Sequence, residues 1–289
     1  WDVTVSYDFK KGIGKVVGRF NCPQCNMELK IKDLDCPKVP HFDSVLNQVV
    51  EVIENIPVLI NYERNGSRYE KVPTEADLEL VQRISSYKIS QKVPSREIPF
   101  MHETHQRRNW AAIGMTHEHH LYTHKTLAVY AELFDLASVL PDEYRDRFKF
   151  LLTSCFNRTT KLVRYMAQHK EKNVGPLSGT LYTTSIFGEI NPFVVIKSRL
   201  QKMKKAYAED CVEQFDTKNV IISTQSATQL LIPDNCVDYI FVDPPFGDNL
   251  MYSELNYFTD MWLKVYEANQ NEAIINRAQG KALLEYQAL

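Results

Sequence analysis

The segment Asp243-Pro244-Pro245-Phe246 places a carboxylate, two rigid prolines and an aromatic ring in four consecutive residues. It follows the apolar run 237–242, which predicts a strand, and ligands of open α/β sheets bind beyond the carboxyl ends of strands. Each proline lacks an N–H and holds φ at about −65°. The stiff turn therefore directs the Asp243 carboxylate, the Pro244 carbonyl and the Phe246 ring into one small space. Two acceptors beside a ring suit a planar group that carries an NH2.

The same four residues resemble the Asp-Pro-Pro-Tyr/Phe motif of amino methyltransferases that use S-adenosylmethionine. The resemblance implies a catalytic group made of Asp243, Pro244, Pro245 and Phe246. The exocyclic amine of adenine or cytosine would donate hydrogen bonds to Asp243 and the Pro244 carbonyl, and Phe246 would stack on the base. The amine nitrogen would attack the sulfonium methyl group in line, with positioning and electrostatics lowering most of the barrier. The target base must first be flipped out of the duplex.

Further segments are similar to large bacterial adenine-specific DNA methylases that contain a zinc ribbon. They span most of the chain and lie at residues 57–62, 68–71, 114–123, 247–255, 258 and 262–264. The resemblance implies methylation of DNA, with adenine favoured over cytosine. We expect a cytoplasmic protein, and the sequence leaves restriction–modification, phage defence and housekeeping open as its pathway. The resemblance also implies that Ser226, Ala227 and Asp243 bind the cofactor, although Ser226 stands where an acidic residue is often found.

The methylases that this chain resembles are much longer than its 289 residues. They carry a Gly-rich loop of the Pro-Phe-x-Gly-x-Gly kind for the methionine part of the cofactor, and this sequence has no such loop. The chain begins at Trp1 and ends in an apolar pattern typical of an unfinished helix. We therefore expect an internal fragment that binds S-adenosylmethionine poorly and is inactive by itself.

Cys22-Pro23-Gln24-Cys25 has the spacing of a zinc knuckle, and its two thiolates are the predicted metal ligands. A tetrahedral structural zinc requires four ligands, so this knuckle supplies half of them. The favoured interpretation is half of a zinc ribbon, whose second knuckle precedes Trp1, as the family resemblance suggests. A complete site with Cys36 and His41 and a metal-free turn are the alternatives.

Four histidines, at positions 117, 119, 120 and 124, form a second cluster of chemically competent side chains. On a helix, His120 and His124 would lie one turn apart on one face and could share a metal ion. Because no acidic residue stands at the spacing of a zinc-protease helix, a structural or substrate-contact role is the favoured interpretation.

The fold class predicted from these patterns is α/β. We expect a partial Rossmann-like methyltransferase sheet with long helices, preceded by a small β-rich part that resembles a zinc ribbon. The predicted divisions are a zinc-ribbon-like segment at 1–45, a hairpin, helix and linker at 46–115, and a helical and methyltransferase part at 116–289. Apolar periodicity and turn residues predict a hairpin at 57–72, helices at 75–85, 123–140, 142–169 and 192–207, and parallel strands at 219–223 and 237–242.

The charge balance limits the possible partners. Lys and Arg total 34 and Asp and Glu total 36, which gives a net charge of −2 instead of the basic excess of many nucleic-acid binders. Contact with DNA must therefore use a local patch, such as the basic end of the helix at 192–207, although a solvated helix face is the favoured interpretation of that run. No apolar run approaches the roughly 20 residues of a membrane span.

Two other functions remain open at this stage. One is methylation of a base amine in RNA, since Asp-Pro-Pro-Phe turns also occur in RNA methyltransferases. The other is a catalytically silent nucleic-acid-binding module that uses a zinc ribbon and the helix at 192–207.

Overall fold

The computed structural model describes residues 4–99, 110–169, 173–184, 186–208, 219–223, 225–227 and 229–288. Within these ranges, ten strands pair into five two-stranded antiparallel sheets, and six α-helices and several short 3-10 turns follow or separate them. None of the described helices is both long enough and apolar enough to cross a membrane.

Four hairpins form the first part of the chain and confirm the predicted β-rich N-terminal part. They pair β1 (Val5–Asp8) with β2 (Ile13–Val16), β3 (Arg19–Asn21) with β4 (Glu28–Lys30), β5 (Lys38–Asp43) with β6 (Gln48–Ile53), and β7 (Ile60–Arg64) with β8 (Ser67–Lys71). Asn65 and Gly66 have φ of 54° and 75°, as the two-residue turn predicted from Asn-Gly requires. The β5–β6 hairpin crosses the predicted division between residues 45 and 46.

The described helices and the last sheet lie in the rest of the chain. They are α1 (Glu75–Ser85), α2 (His124–Ser138), α3 (Asp142–Thr153), the pair β9 (Arg164–Tyr165) and β10 (Asn173–Gly175), α4 (Pro192–Ala208), α5 (Tyr252–Leu263) and α6 (Leu283–Ala288). Thr74 begins α1 through its backbone N–H and hydroxyl, which donate to the Asp77 carboxylate at 2.8 and 2.7 Å. The Thr123 hydroxyl accepts from the Thr126 N–H at 3.3 Å and begins α2. The predicted helices at 75–85, 123–140 and 192–207 are confirmed.

An aromatic cluster forms the core between α2, α5 and the 3-10 turn Phe156–Arg158. The Trp262 ring stacks on Phe134 and Phe156 at centroid distances of 4.7 and 5.8 Å. Its indole N–H donates to the Tyr122 hydroxyl at 3.0 Å, so the polar edge of the ring is also satisfied. Since Tyr122 and Trp262 lie 140 residues apart, this contact fixes α5 against the start of α2.

The helix predicted at 142–169 is shorter in the structure, because α3 ends at Thr153. The Cys155 N–H bonds to the Leu152 carbonyl at 3.0 Å, which tightens the last turn. The chain then bends through the 3-10 turn, and both Leu162 and Val163 become buried. The sequence predicted a longer helix because the buried residues after the bend follow a spacing similar to that of a helix.

The parallel strands predicted at 219–223 and 237–242 are wrong for the described residues, which have no strand there and no parallel sheet. Ile221 is 95% exposed and Phe241 is 83% exposed, whereas strands of a parallel sheet are buried on both faces. A strand forms only when its N–H and C=O groups meet a neighbouring strand, and these runs have no such neighbour in the described chain. The α/β class is shown only as a mixture of helices and small antiparallel sheets.

Candidate functional site

The Asp243–Phe246 turn is held on its C-terminal side, through the carbonyls of Pro245, Phe246 and Gly247. The Tyr286 hydroxyl on α6 donates to the Pro245 carbonyl at 2.8 Å. The Ile275 N–H donates to the Gly247 carbonyl at 2.9 Å, and the Asn249 N–H closes the turn on the Phe246 carbonyl at 3.0 Å. Gly247 has φ of 52°, in the left-handed region that favours glycine. The turn is therefore positioned by α6 and by the segment after α5, without a preceding strand.

The groups predicted to bind a base are left open by these anchors. Neither the Asp243 carboxylate nor the Pro244 carbonyl accepts a hydrogen bond from any described residue. The Phe246 ring is 71% exposed, and Asp243 and Pro244 are also exposed. The turn thus presents two acceptors and one ring face to solvent, while the neighbouring carbonyls of Pro245, Phe246 and Gly247 are used to hold it.

Ser226 and Ala227, the predicted cofactor residues, lie in a separate exposed turn. The Gln229 N–H donates to the Ser226 carbonyl at 3.3 Å and closes that turn. The cofactor assignment placed these residues at the end of a strand, and residues 219–223 do not form one. The strand end from which Ser226 and Ala227 were expected to reach the cofactor is therefore not formed in the described residues, and their role in binding it stays a prediction.

Cys22 and Cys25 lie in the connection between β3 and β4, in a geometry suited to a metal knuckle. The Cys22 N–H donates to the Met27 carbonyl, and the Asn26 N–H donates to the Cys22 carbonyl, both at 2.8 Å. Backbone N–H groups of Cys25 and Gln24 donate to the Cys22 sulfur and lower its pKa. Since the thiolate is the form that binds a metal, this turn favours the ligand state of Cys22.

Cys36 and His41 do not complete a four-ligand set with this knuckle. Within the described residues, only Asp43, His119 and His120 bring three potential metal-ligand atoms within 4.8 Å of one another. Cys22, Cys25, Cys36 and His41 therefore do not bring three ligand atoms together in the described structure, and metal binding by Cys22 and Cys25 stays a prediction.

Asp43, His119 and His120 form a buried polar cluster that joins the β5–β6 hairpin to the 3-10 turn Glu118–Leu121. Asp43 Oδ2 lies 2.7 Å from His119 Nε2 and 2.8 Å from His120 Nε2. Asp43 Oδ1 accepts the N–H groups of Val45 and Leu46 at 2.9 and 3.1 Å. Burial opposes ionisation of Asp43, but the bonds from the two imidazoles outweigh it and hold its pKa well below its usual range.

The geometry of the Asp43, His119 and His120 cluster fits a set of hydrogen bonds better than it fits a metal site. His120 Nδ1 accepts the N–H groups of Thr116 and His117 at 3.1 and 3.2 Å, so its proton is on Nε2 and is donated to Asp43. A metal at His120 Nε2 would require that proton on Nδ1, against two N–H donors. Two ligands about 2.1 Å from a tetrahedral zinc also lie farther apart than hydrogen-bonded atoms. Burial lowers the pKa of His120, in agreement with a neutral ring.

His119 differs from its neighbour in one respect. Its Nε2 also bonds to Asp43, but its Nδ1 is buried and has no hydrogen-bond partner among the described residues. His124, in contrast, begins α2 and lies 2.6 Å through Nε2 from the Tyr87 carbonyl. The predicted helical pair of His120 and His124 is therefore not formed, because the two residues lie in different elements.

Glu118, which precedes these histidines, ties the same 3-10 turn to α5 and to the segment that follows it. Its Oε1 accepts the hydroxyls of Tyr266 and Tyr257 at 2.7 and 3.1 Å, and Oε2 accepts the Arg96 N–H at 3.1 Å. Burial raises the pKa of Glu118 despite these donors. Sequence reasoning missed both Glu118 and Asp43, because the side chains that they bond lie 76 to 148 residues away along the chain.

Comparison of the chain with protein-family models, with curated proteins and with solved structures finds no match. The functional assignment therefore depends on the residues and geometry described above.

Proposed function

We propose that this chain contributes the base-binding turn of an enzyme that methylates the exocyclic amine of a flipped DNA base, with adenine favoured and S-adenosylmethionine as the methyl donor. The observation that carries the proposal is the open pair of acceptors, Asp243 and Pro244, beside the exposed Phe246 ring. The anchors from Tyr286 and Ile275 support it, because they leave these three groups unoccupied.

The turn can perform the base side of this reaction with its own groups. An amine has two N–H donors, and the Asp243 carboxylate and the Pro244 carbonyl provide two acceptors for them. These bonds favour a lone pair localised on nitrogen, and the Asp243 charge stabilises the positive charge that develops there. Stacking on Phe246 would contribute about 1–3 kcal/mol to holding the base.

The strands that were expected to carry the cofactor-binding residues are not formed in the described chain. S-adenosylmethionine supplies an electrophilic methyl group when it is bound. A role for Ser226 and Ala227 in binding it, and the Rossmann-like sheet itself, would require residues 219–223 and 237–242 to pair with neighbouring strands. We also propose a structural zinc, for which Cys22 and Cys25 would supply two of the four ligands.

The proposal is tested by expressing the complete gene product in a host that lacks DNA methylation. Digested genomic DNA is then analysed by mass spectrometry for N6-methyladenine and N4-methylcytosine. Asp243→Ala should reduce methylation by about 10²–10³-fold, as does loss of one group that stabilises transition-state charge. The matched control Asp234→Ala removes an exposed carboxylate from a nearby loop and should leave methylation unchanged.

The outcomes separate the competing functions. Full methylation by Asp243→Ala would contradict the role of the turn. Modified bases in tRNA or rRNA, with none in DNA, would show an RNA methyltransferase. DNA binding without methylation of either polymer would show a silent binding module.

A further inference from the structure

Helix α4 has the most one-sided charge of any described helix. Its 17 residues include Lys197, Arg199, Lys202, Lys204 and Lys205 and no acidic residue. The whole chain, in contrast, has a net charge of −2. A helix with five cations inside a slightly acidic chain is a local electrostatic feature that composition alone conceals.

The lysines lie on the outward side of α4. Val195 and Ile196 pack against the hydrophobic core, and Arg199 is half-buried near Cys155. Lys197 and Lys204 are exposed and seven residues apart, which places them on one face about 10 Å apart along the axis. Lys205 and Lys202 are also exposed, about 80° and 140° around the helix axis from Lys197, both on the same side of that face.

Three of these charges, on Lys197, Lys202 and Lys204, are not neutralised by a described carboxylate. No described carboxylate lies within 4.0 Å of the ammonium groups of Lys197, Lys202 or Lys204. Lysines elsewhere do have partners, such as Lys71 with Asp77 at 2.7 Å and Lys125 with Glu189 at 2.9 Å. Mutual repulsion among the α4 lysines therefore favours a partner with a matching row of negative charges.

We propose that the outward face of α4 lies along the phosphate backbone of double-stranded DNA and positions the duplex for the Asp243 turn. The choice of DNA rests on the proposed function, whereas the need for a polyanion rests on α4 alone. A separation of about 10 Å corresponds to about three base-pair steps along one strand. Contacts of this kind fix the orientation of the duplex and carry no sequence information.

An anionic membrane surface fits α4 less well. An interfacial helix buries an apolar face opposite its cations. On α4, Ser198 and Gln201 separate the outward lysines, and Val195 and Ile196 already face the protein core. Exposed apolar residues also occur on α4: Phe193 and Val194 lie in its first turn, Leu200 in its middle and Tyr207 near its end. Leu200 is three residues from Lys197 and four from Lys204, so it lies beside the cations and not opposite them. The side of α4 opposite the lysines is therefore already covered by the protein core, and no free apolar face remains there for a membrane.

The test measures binding of the complete chain to a fluorescent 30-base-pair duplex by anisotropy, at several salt concentrations. In the variant Lys197→Gln/Lys202→Gln/Lys204→Gln, the slope of log K against log salt should become shallower by about 2–3, because each lost phosphate contact changes it by about 0.9. Affinity should fall about 10- to 100-fold at low salt. Glutamine preserves helix propensity, and circular dichroism should remain unchanged.

The matched control is Lys10→Gln/Lys11→Gln/Lys15→Gln, which removes three exposed lysines from the β1–β2 hairpin. It should change affinity less than twofold, since these residues lie outside the proposed surface. An equal loss in both triple variants would mean that only net charge matters and would overturn the proposal. An unchanged salt slope in the α4 variant would do the same.

Two further measurements separate this proposal from the proposed function. Asp243→Ala should bind the duplex with an unchanged salt slope, even though methyl transfer is lost. If the α4 effect is present while the wild-type protein methylates no base, the surface stands and the proposed function fails. No binding to duplex DNA, or tighter binding to anionic phosphatidylserine vesicles, would overturn the DNA surface.

Discussion

The aromatic core around Trp262 and the segment 219–246 contain similar residue types but have opposite environments. In the core, Tyr130 is fully buried and Trp262 is 6% exposed. In the segment, Tyr239 is 80% exposed and Phe241 is 83% exposed. The two regions show that apolar composition specifies the tendency to be buried, whereas burial itself depends on a partner surface.

The difference follows from how helices and strands satisfy their backbones. A helix such as α2 makes its hydrogen bonds within itself and needs only an apolar surface against one face. A strand-like run such as 237–242 needs neighbouring strands for its N–H and C=O groups as well. Without those neighbours in the described chain, its side chains have no sheet that could place them against a core.

The largest effect should come from the core side of this comparison. Trp262→Ala removes a ring that stacks on Phe134 and Phe156 and leaves the Tyr122 hydroxyl without its indole donor. We expect a loss of about 3–5 kcal/mol in the free energy of unfolding. Urea denaturation followed by circular dichroism measures it, and a loss below about 1 kcal/mol would show that this core is not formed.

The buried polar cluster should give the next largest effect. Asp43→Ala removes the acceptor of two buried imidazole N–H groups, each bonded to a charged oxygen. We expect a loss of about 3 kcal/mol, because hydrogen bonds to charged groups contribute about 1.5–3 kcal/mol each. Glu54→Ala, at an exposed position just beyond β6, is the control and should change stability little. Equal stability of the two variants would refute the contact.

The same cluster predicts a pH dependence. Burial lowers the pKa of His120 and of His117 below the ordinary value of 6.5, so both rings are neutral in the folded protein and gain protons more readily when unfolded. Stability should therefore fall as pH decreases below 6.5, by at most about 1.4 kcal/mol per pH unit for each group. The depressed pKa of Asp43 adds a second loss as pH decreases below about 4.

Substitution of one histidine measures how much that residue contributes to the dependence of the free energy of unfolding on pH. His120→Gln keeps an N–H donor towards Asp43 and does not titrate, so the slope between pH 6.5 and 5 should become shallower. His41→Gln, at an exposed position, should leave the slope unchanged. Denaturation at several pH values measures both, and identical slopes in all three proteins would contradict a neutral buried His120.

The smallest effect is expected in the exposed segment. Phe241→Ser removes a ring that is 83% exposed, and the free energy of unfolding should change by less than about 0.5 kcal/mol. The same denaturation experiment measures it beside Trp262→Ala. A loss comparable to that of Trp262→Ala would mean that residues 237–242 are buried in solution, as the predicted strand requires.

The local elements could be predicted because their causes lie within a few residues. The Thr74–Asp77 capping pair begins α1, and Asn65-Gly66 forms a tight turn between β7 and β8. The helix 192–207 was predicted within one residue of α4. The end of α3 was not predicted. The chain bends after Cys155 so that the following residues can pack into the core, and apolar periodicity does not reveal such a bend.

The candidate site also has a part that could be predicted from the sequence and a part that could not. The sequence by itself determined which groups could do chemistry: the acceptors at Asp243 and Pro244, the ring of Phe246 and the thiols of Cys22 and Cys25. Only the tertiary structure decided that Tyr286 and Ile275 hold the turn that contains Asp243 and Phe246. It also decided that Asp43 bonds to His119 and His120. Chemical competence is a property of a side chain and its near neighbours, whereas contacts across 76 residues depend on how the whole chain packs.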